Sequence, residues 1–519
     1  MTFATDSLPE KIYRTSQVRE LDQMAIQDMG ITGYELMCRA GEAAYDVLRL
    51  RWPSARTIQI FCGAGNNAGD GYVVARLALK QGCKVVVSAA VGPEKLSGDA
   101  ARAYVDYRDS GGKVEILKVV TSIFNVDLIV DALLGVGFGH ELRGSFKSAV
   151  EAINTAQCPV LALDIPTGLH ADTGSVISGT DTKGLAVRAD ATITFVALKQ
   201  GLFLDKAMDY RGDLFFSDLG IRWNKPPSQR PSLRRLGQSF LAKTLQPRKQ
   251  TAHKGSHGRL LLVGGGIGMS GAIRLAAEAA LRAGTGLVQV ATHPANVEQV
   301  MEGRAEIMCL GITNPDDLNA LVNQADAVVL GPGLGGDSWA KGVWQQTMDS
   351  DWQCMVLDAD GLNFLAQAPQ VGGARQDNWI LTPHPGEAAR LLSSFEGKEM
   401  STTQIQAERL KHANNLAGCY EGIVVLKGAG SLVAAPHSAY ITSVCDFGNP
   451  GMATAGMGDV LSGIIGALCT QGNTAVDAAC AGVLLHALAG DDAAAQGQRG
   501  TLAGDLMPYI RKWANPTSL

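Results

Sequence analysis

Ten cysteines are scattered from Cys38 to Cys480 with no C-x-x-C pair and no spacing that would gather metal ligands. Zinc sites and disulfide frameworks are therefore excluded as organising elements, and the thiols read as buried residues of a reduced compartment. No G-x-x-x-x-G-K-[ST] segment occurs either, so no Walker-type phosphate loop is expected. Within the first twenty residues Asp6, Glu10, Lys11, Arg14, Arg19 and Glu20 leave no apolar run, which argues against a secretory signal. The most apolar region, Val460 to Gly490, is broken by Gln471-Gly472-Asn473 and Asp477 and reads as two buried helices, not a membrane span. A net charge of −5 supplies no field for holding nucleic acid or an anionic membrane. The expectation is a cytoplasmic protein with neither partner. Acidic residues are missing altogether between Leu219 and Ala277, where eleven Lys or Arg stand and Pro226-Pro227, Pro231 and Pro247 punctuate the first part. That stretch reads as a domain connection with a solvated basic surface.

What is present is core. Of 519 residues 46% are hydrophobic and 18% charged, and the length suggests two to four domains. No internal repeat emerges, and the division expected is residues 1–225, a connection over 226–250, and residues 251–519. In the first half Val18, Leu21, Met24 and Ala25, then Leu36, Met37, Ala40, Ala44, Val47 and Leu48, fall at helical spacing. The strand Thr57–Cys62 runs into the glycine loop Gly63-Ala64-Gly65-Asn66-Asn67-Ala68-Gly69-Asp70-Gly71 and then a helix through Val73, Val74, Leu77 and Ala78. Strand, glycine loop and helix make a phosphate-binding turn at the carboxyl edge of a parallel sheet. Further strands over 84–91, 127–134, 159–165 and 191–196 alternate with helix-compatible segments, which argues an α/β layered domain. Their ends carry Asp131, the Gly135–Glu141 turn, and Asp164-Ile165-Pro166-Thr167-Gly168, all directed to one crevice. Asn67, Asp131 and Thr167 offer only oxygen atoms and one negative charge, a set suited to a hard, weakly charged cation such as potassium, although such side chains also satisfy their own turns.

The second half restarts the pattern. The strand Arg259–Val263 leads into Gly264-Gly265-Gly266-Ile267-Gly268-Met269-Ser270-Gly271 and an alanine-rich helix over about 272–282. Later strands end in Gly331-Pro332-Gly333-Leu334-Gly335, Asp358-Ala359-Asp360, Thr382-Pro383-His384-Pro385-Gly386-Glu387 and Lys427-Gly428-Ala429-Gly430-Ser431. The last turn, Gly448 to Gly463, holds five glycines around Gly456-Met457-Gly458-Asp459 and reads as a loop entering a helix N-terminus. Asp459 there either caps the helix or serves as a general base beside an anion hole. His384, fixed between two prolines, points to a ligand contact. Asp358 and Asp360 can bind magnesium or cap their loop, and Lys427 with the glycines after it can place a cation near phosphates.

Two segments mimic a dinucleotide fingerprint, Gly63-x-Gly65-x-x-Ala68 and Gly266-x-Gly268-x-x-Gly271. Neither is followed by the acidic residue that would hold ribose hydroxyls, so an NAD-dependent dehydrogenase is disfavoured.

Taken together, Gly65-Asn66-Asn67-Ala68-Gly69-Asp70-Gly71 and Asp164-Ile165-Pro166-Thr167-Gly168 resemble the NAD(P)H-hydrate epimerase (YjeF N-terminal) family. The Gly331–Gly335, Thr382–Glu387 and Asn449–Asp459 segments are similar to the ADP-dependent NAD(P)H-hydrate dehydratase family of ribokinase-like fold. The resemblance covers nearly the whole chain. It implies two three-layer α/β/α domains, the first Rossmann-like and the second ribokinase-like. It also implies epimerisation of the R and S forms of hydrated NADH or NADPH, then dehydration of the S form with ADP as phosphoryl donor. Carried onto this chain, it makes Asn67, Asp131 and Thr167 ligands of K+. Asn66, Asn67, Ala68, Gly69, Asp70, Gly135, Val136, Gly137, Phe138, Gly139, His140, Glu141 and Asp164 become hydrate-binding residues of the epimerase. Ala272, Gly333, Gly335, His384 and Asp459 become the hydrate site of the dehydratase, and Lys427, Gly428, Ala429, Gly430, Ser431 and Gly458 its nucleotide site, with Mg2+ bound there. Asp164 and Asp459 are the expected acid–base residues, and a homo-oligomer is expected. A vitamin-precursor kinase shares the second fold, and fold alone does not separate the two. The fused first half does, since such a kinase has no need of an epimerase. A non-catalytic nucleotide sensor is a third reading, opposed by the carboxylates in place.

Overall fold

The computed structural model describes residues 2–3, 7–117, 123, 125–137, 139–178, 184–221, 230–368, 378–436 and 440–516. The chain divides into two units, Met1–Leu233 and Arg234–Leu519. Of the expected connection, 226–229 lie outside the described residues. Beyond them the stretch is structured: it contains the strand Leu233–Arg235 and the short helix Ser239–Thr244.

In the first unit the apolar strands form one sheet in the order Thr2–Phe3, Asp213–Ser217, Ala191–Phe195, Val160–Leu163, Leu128–Ala132, Thr57–Cys62, Lys84–Ala89, Val114–Ile116. All neighbours are parallel except the first pair. Cores lie on both faces: helices Gly33–Arg51, Asn66–Lys80 and Gly98–Asp109 contribute to one, and Gly144–Thr155 to the other. That double coverage is why Leu128–Ala132 and Ala191–Phe195 are buried at every residue and read as unbroken apolar runs. Strand order reverses between Thr57–Cys62 and Leu128–Ala132, and at such a switch point the strand ends open a crevice. The helix after Cys62 begins at Asn66, so most of the expected loop is its first two turns. Gly63 permits the entry, because a Cβ there would lie 1.9 Å from the Leu133 carbonyl oxygen.

The second unit repeats the scheme, with parallel strands in the order Met308–Gly311, Leu287–Thr292, Arg259–Val263, Ala327–Leu330, Met355–Leu357, Trp379–Leu381, Ile423–Leu426. Ser431–Ala434 and Ser443–Cys445 then continue it antiparallel. Successive strand residues point to opposite faces: Leu260, Leu262, Val329, Val356 and Ile380 join the core made by helices Ser270–Ala283, Met457–Cys469, Ala475–Ala493 and Met507–Trp513. Leu261, Val328, Leu357 and Leu381 are equally buried but belong to the other face. The switch point falls between Arg259–Val263 and Ala327–Leu330. Both units are thus three-layer α/β/α structures. Among the described residues no helix is long and apolar enough to cross a membrane.

Candidate active sites

The crevice of the first unit holds a cavity of about 550 Å³, lined among others by Asn66, Asn67, Asp70, the Gly135–Gly137 turn, Asp164 and Lys199. Asp164 follows the strand Val160–Leu163 with φ 66, an uncommon conformation for a side-chain-bearing residue. Its carboxylate meets Lys199 Nζ at 2.5 Å and accepts from Thr194 Oγ1 at 3.3 Å. Lys199 is 2% exposed and also donates to the Phe195 carbonyl at 2.7 Å. Asp70, buried in the helix Asn66–Lys80, is pushed well above the usual carboxylate range by burial, with Asp164 and Asp22 adding and Lys199 opposing.

Asn67, Asp131 and Thr167 converge on the Leu133-Leu134 turn. Thr167 donates from N and Oγ1 to the two Asp131 oxygens, each at 2.8 Å, and its Oγ1 accepts from Leu134 N at 3.1 Å. Asn67 Nδ2 donates to the Leu134 carbonyl at 3.2 Å, while Asn67 Oδ1 is buried without a partner. Asp131 is fully buried, and burial pushes its carboxyl up to about 6 against the pull of the Thr167 and Leu133 hydrogen bonds. An unpartnered amide oxygen and a desolvated carboxylate, linked through Leu134 and Thr167, fit a hard cation.

Not every expected residue reaches the cavity. Ala68 and Gly69 are buried, and their amides already bond to Gly65 O. Gly139, His140 and Glu141 are not among its lining; His140 is exposed and Glu141 pairs with Arg143. Phe138 lies outside the described residues.

In the second unit the strand ends gather charge around Lys427. Its Nζ lies 2.7 Å from Asp358 Oδ1 and 3.8 Å from Glu387 Oε2. Burial pulls the Lys427 ammonium down, but Asp358, Glu387 and Asp459 outweigh it and the net shift is upward. Gly456 (φ 88) occupies the cap of the helix Met457–Cys469, and Asp459 sits in its first turn. The capping reading of Asp459 therefore does not hold. Burial pushes its carboxyl up to about 7, Asp358, Asp360 and Glu387 adding and Lys427 opposing. Gly458 lets the helix end approach: a Cβ there would stand 3.3 Å from Lys427 Nζ.

His384 caps the helix Pro385–Glu396, its Nδ1 accepting from Gly386 N at 3.0 Å, while Glu387 Oε2 accepts from His384 N at 2.7 Å. With Nδ1 so engaged, Nε2 of the half-exposed ring faces Glu387 Oε1 at 3.5 Å. Its pKa is lowered by burial and by Lys427 and Arg390. Gly333 (φ 56) approaches Ala272, where a Cβ would stand 3.0 Å from the alanine methyl, and Gly335 donates its amide to Asp360 Oδ2 at 2.8 Å. The 428–431 turn closes through Ser431 Oγ and Gly428, and buried Arg409 donates to the Leu426, Lys427 and Gly430 carbonyls beneath it. Asp358 is taken by Lys427 and Asp360 by Gly335 and Asn363, so neither is an idle metal ligand. No group of three or more His, Cys, Asp or Glu is arranged to hold a metal among the described residues.

Sequence reasoning missed Asp22 and Lys199 in the first unit, and Arg409 and His486 in the second; Glu387 was included in its turn but given no role of its own. Lys199 had a signal, a lone lysine after the apolar run Phe195–Leu198. His486 had the same kind, inside Leu484-Leu485-His486-Ala487-Leu488. Burial and the nearby Lys427 push its ring down to about 4.

A family model described as NAD(P)H-hydrate dehydratase matches residues 260–512, and one described as YjeF-related protein N-terminus matches residues 33–201. The bifunctional NAD(P)H-hydrate repair enzyme of Coxiella burnetii is 45% identical over 507 residues, covering 97% of this chain and 99% of that protein. The Escherichia coli protein of the same description is 44% identical, with 98% and 95% covered. A solved ADP/ATP-dependent NAD(P)H-hydrate dehydratase from Bacillus subtilis is 25% identical, covers 53% of this chain and 95% of its own, and superposes with a TM-score of 0.45. Relatives of this identity, matched from end to end across both units, assign the chain: it belongs to the family of bifunctional NAD(P)H-hydrate repair enzymes.

Proposed function

We propose that the chain repairs hydrated NADH and NADPH, the first unit interconverting the R and S epimers and the second dehydrating the S form at the expense of ADP. The observation that carries the reading is Asp459, a carboxylate near 7 in the first turn of a glycine-entered helix beside Lys427. Water is a poor leaving group, so the C6 hydroxyl must first be phosphorylated. Asp459 takes the hydroxyl proton as the oxygen attacks the terminal phosphoryl group of ADP. The amides opening at Gly456–Asp459 and the Lys427 ammonium stabilise the charge that spreads over the transferring group. The C6–O bond then breaks with phosphate leaving, the ring nitrogen supplying electron density, and loss of a proton from C5 restores the double bond. AMP and phosphate are the co-products.

The 428–431 turn receives the nucleotide, and Ala272, Gly333, Gly335 and His384 receive the hydrate. Asp358 and Asp360 being engaged, Mg2+ would be held by the nucleotide phosphates, and its chemistry would be neutralisation of phosphoryl charge. In the first unit Asp164 moves the proton needed to expel or readmit the C6 hydroxyl. K+ would be held by Asn67, Asp131 and Thr167, the unpartnered Asn67 Oδ1 being the atom that supports it.

Incubation with a mixture of epimers and ADP, with ATP in parallel, tests the reading through absorbance at the NADH maximum and phosphate release. Stoichiometric return of both is expected with ADP. A phosphorylated product that accumulates without absorbance would instead mark a small-molecule kinase.

A further inference from the structure

The Asp164–Lys199 pair accounts for only half of an acid–base reaction. Inverting C6 requires a proton given to the departing oxygen and a proton taken from the oxygen that returns. Asp164 lies 2.5 Å from the Lys199 ammonium, which is 2% exposed, so the ion pair fixes its carboxylate in place, where it can receive a proton. The donor must come from elsewhere in the cavity. The charged groups that line it are Arg19 and Asp22 from the helix Thr15–Met29, Asp70 from Asn66–Lys80, Asp99 from Gly98–Asp109, and Asp164 and Lys199 themselves. Arg19 has no proton to give near neutrality. Asp70 is 9% exposed, whereas Asp22 and Asp99 are half-buried and so reachable by a ligand, and Asp22 stands near enough to feel the charges of both Lys199 and Asp164.

Asp22 is also held in register with the pair. The strand Lys11–Tyr13 runs parallel to Leu198–Lys199, with Tyr13 opposite Lys199. Tyr13, Val18 and Leu21 pack with Ala197 in one apolar cluster. The helix that carries Asp22 is therefore anchored on the segment that carries Lys199, and the two cannot drift apart independently.

We propose that Asp22 is the proton donor of the epimerase cavity and that Lys199 is the positioning residue that holds the Asp164 carboxylate in place. The proposal rests on the epimerase reading above. In the step, the Asp22 carboxylic acid gives its proton to the C6 hydroxyl while the C6–O bond breaks. The bonding pair leaves with oxygen as water, and the ring-nitrogen lone pair forms the C6–N double bond of an iminium. Water returns to the opposite face, its oxygen bonds C6, the double-bond pair goes back to nitrogen, and Asp164 receives the proton released. Proton exchange with solvent resets the two carboxyls. Burial pushes the Asp22 carboxyl up to about 6, Lys199 opposing and Asp164 adding, which keeps a usable protonated fraction near neutrality.

The test is Asp22→Asn in the full-length protein, with Asp70→Asn, Lys199→Met and Lys199→Arg beside it, following epimer ratio by chromatography with the uncatalysed rate subtracted. Asp22→Asn is expected to lower epimerisation kcat by about a hundredfold or more with KM little changed, and to abolish the decline of rate above about pH 6 that is expected of the wild type. Lys199→Met should lower kcat and Lys199→Arg should recover part of it. Dehydration of pure S epimer and an unchanged first-unit melting transition check folding, and Asp22→Glu, which keeps the acid, should retain activity if the transition of Asp22→Asn is lowered. An Asp22→Asn rate within threefold of wild type, or a loss seen with Asp70→Asn and not Asp22→Asn, overturns the proposal. A wild-type protein that leaves the epimers unmixed overturns the epimerase reading instead.

Discussion

Replacing Lys427 by methionine removes the ammonium that lies 2.7 Å from Asp358 and 3.8 Å from Glu387 and that opposes the upward shift of Asp459. With the Asp459 carboxyl near 7, about half of it is ionised at pH 7 and able to act as base. Burial, Asp358, Asp360 and Glu387 would then act on it unopposed. A further rise of about one unit leaves about one-eleventh ionised at pH 7, an about fivefold loss of competent enzyme that is recovered above about pH 8.5. The sign is fixed by the charges: removing a cation from beside an acid favours its neutral form, so the rising limb of kcat must move to higher pH. Loss of one partner from a buried pair also destabilises by about 3–5 kcal/mol, because Asp358 is left buried without its partner. The assay is dehydration of pure S epimer at saturating ADP between pH 5.5 and 9.5. Saturation separates a weaker nucleotide contact, which raises KM, from a displaced base, which moves the kcat midpoint. A midpoint that stays in place or moves to lower pH refutes the assignment of Asp459 as the base under Lys427 control.

Asp164→Ala should lower epimerisation by about 10²- to 10⁴-fold while S-epimer dehydration continues at the wild-type rate, read by chiral chromatography and by absorbance respectively. Gly63→Ala should melt the first unit early, since its Cβ would lie 1.9 Å from the Leu133 carbonyl oxygen; a first-unit melting temperature equal to wild type contradicts that packing. Exchange of K+ for a bulky organic cation should lower the first-unit melting temperature of the wild type and leave that of Asn67→Ala unmoved, because a ligand that binds only the folded state stabilises by mass action.

Much of this site was legible in the sequence because strands of a parallel sheet end on one edge. Asp131 and Asp164 in the first unit, and Asp358, His384 and Lys427 in the second, each close an apolar run, so topology alone brings those of each unit to that unit's own crevice. Asp459 was found by its glycines, but its place in the first turn was not, because Gly456 in the left-handed conformation starts the helix earlier than apolar spacing suggests. Asp22 escaped notice for a different reason. It lies on an amphipathic helix among Glu20 and Asp28, where a carboxylate reads as solvated surface, and only the pairing of Lys11–Tyr13 with Leu198–Lys199 turns that face toward the cavity. Contacts set by long-range pairing leave no local period to read. Arg409 was hidden likewise: its donors reach the 428–431 turn from a helix before the strand that leads there.

The division of labour between the two units is tested most directly by the amplitude of NADH recovery from a known mixture of R and S hydrates with excess ADP. The wild type should return all of the hydrate. Asp164→Ala should return the S fraction quickly and the R fraction only at the uncatalysed epimerisation rate, and Asp459→Asn should return almost none while still equilibrating the epimers. Full rapid recovery by either variant, or wild-type recovery that stops at the S fraction, would contradict the account.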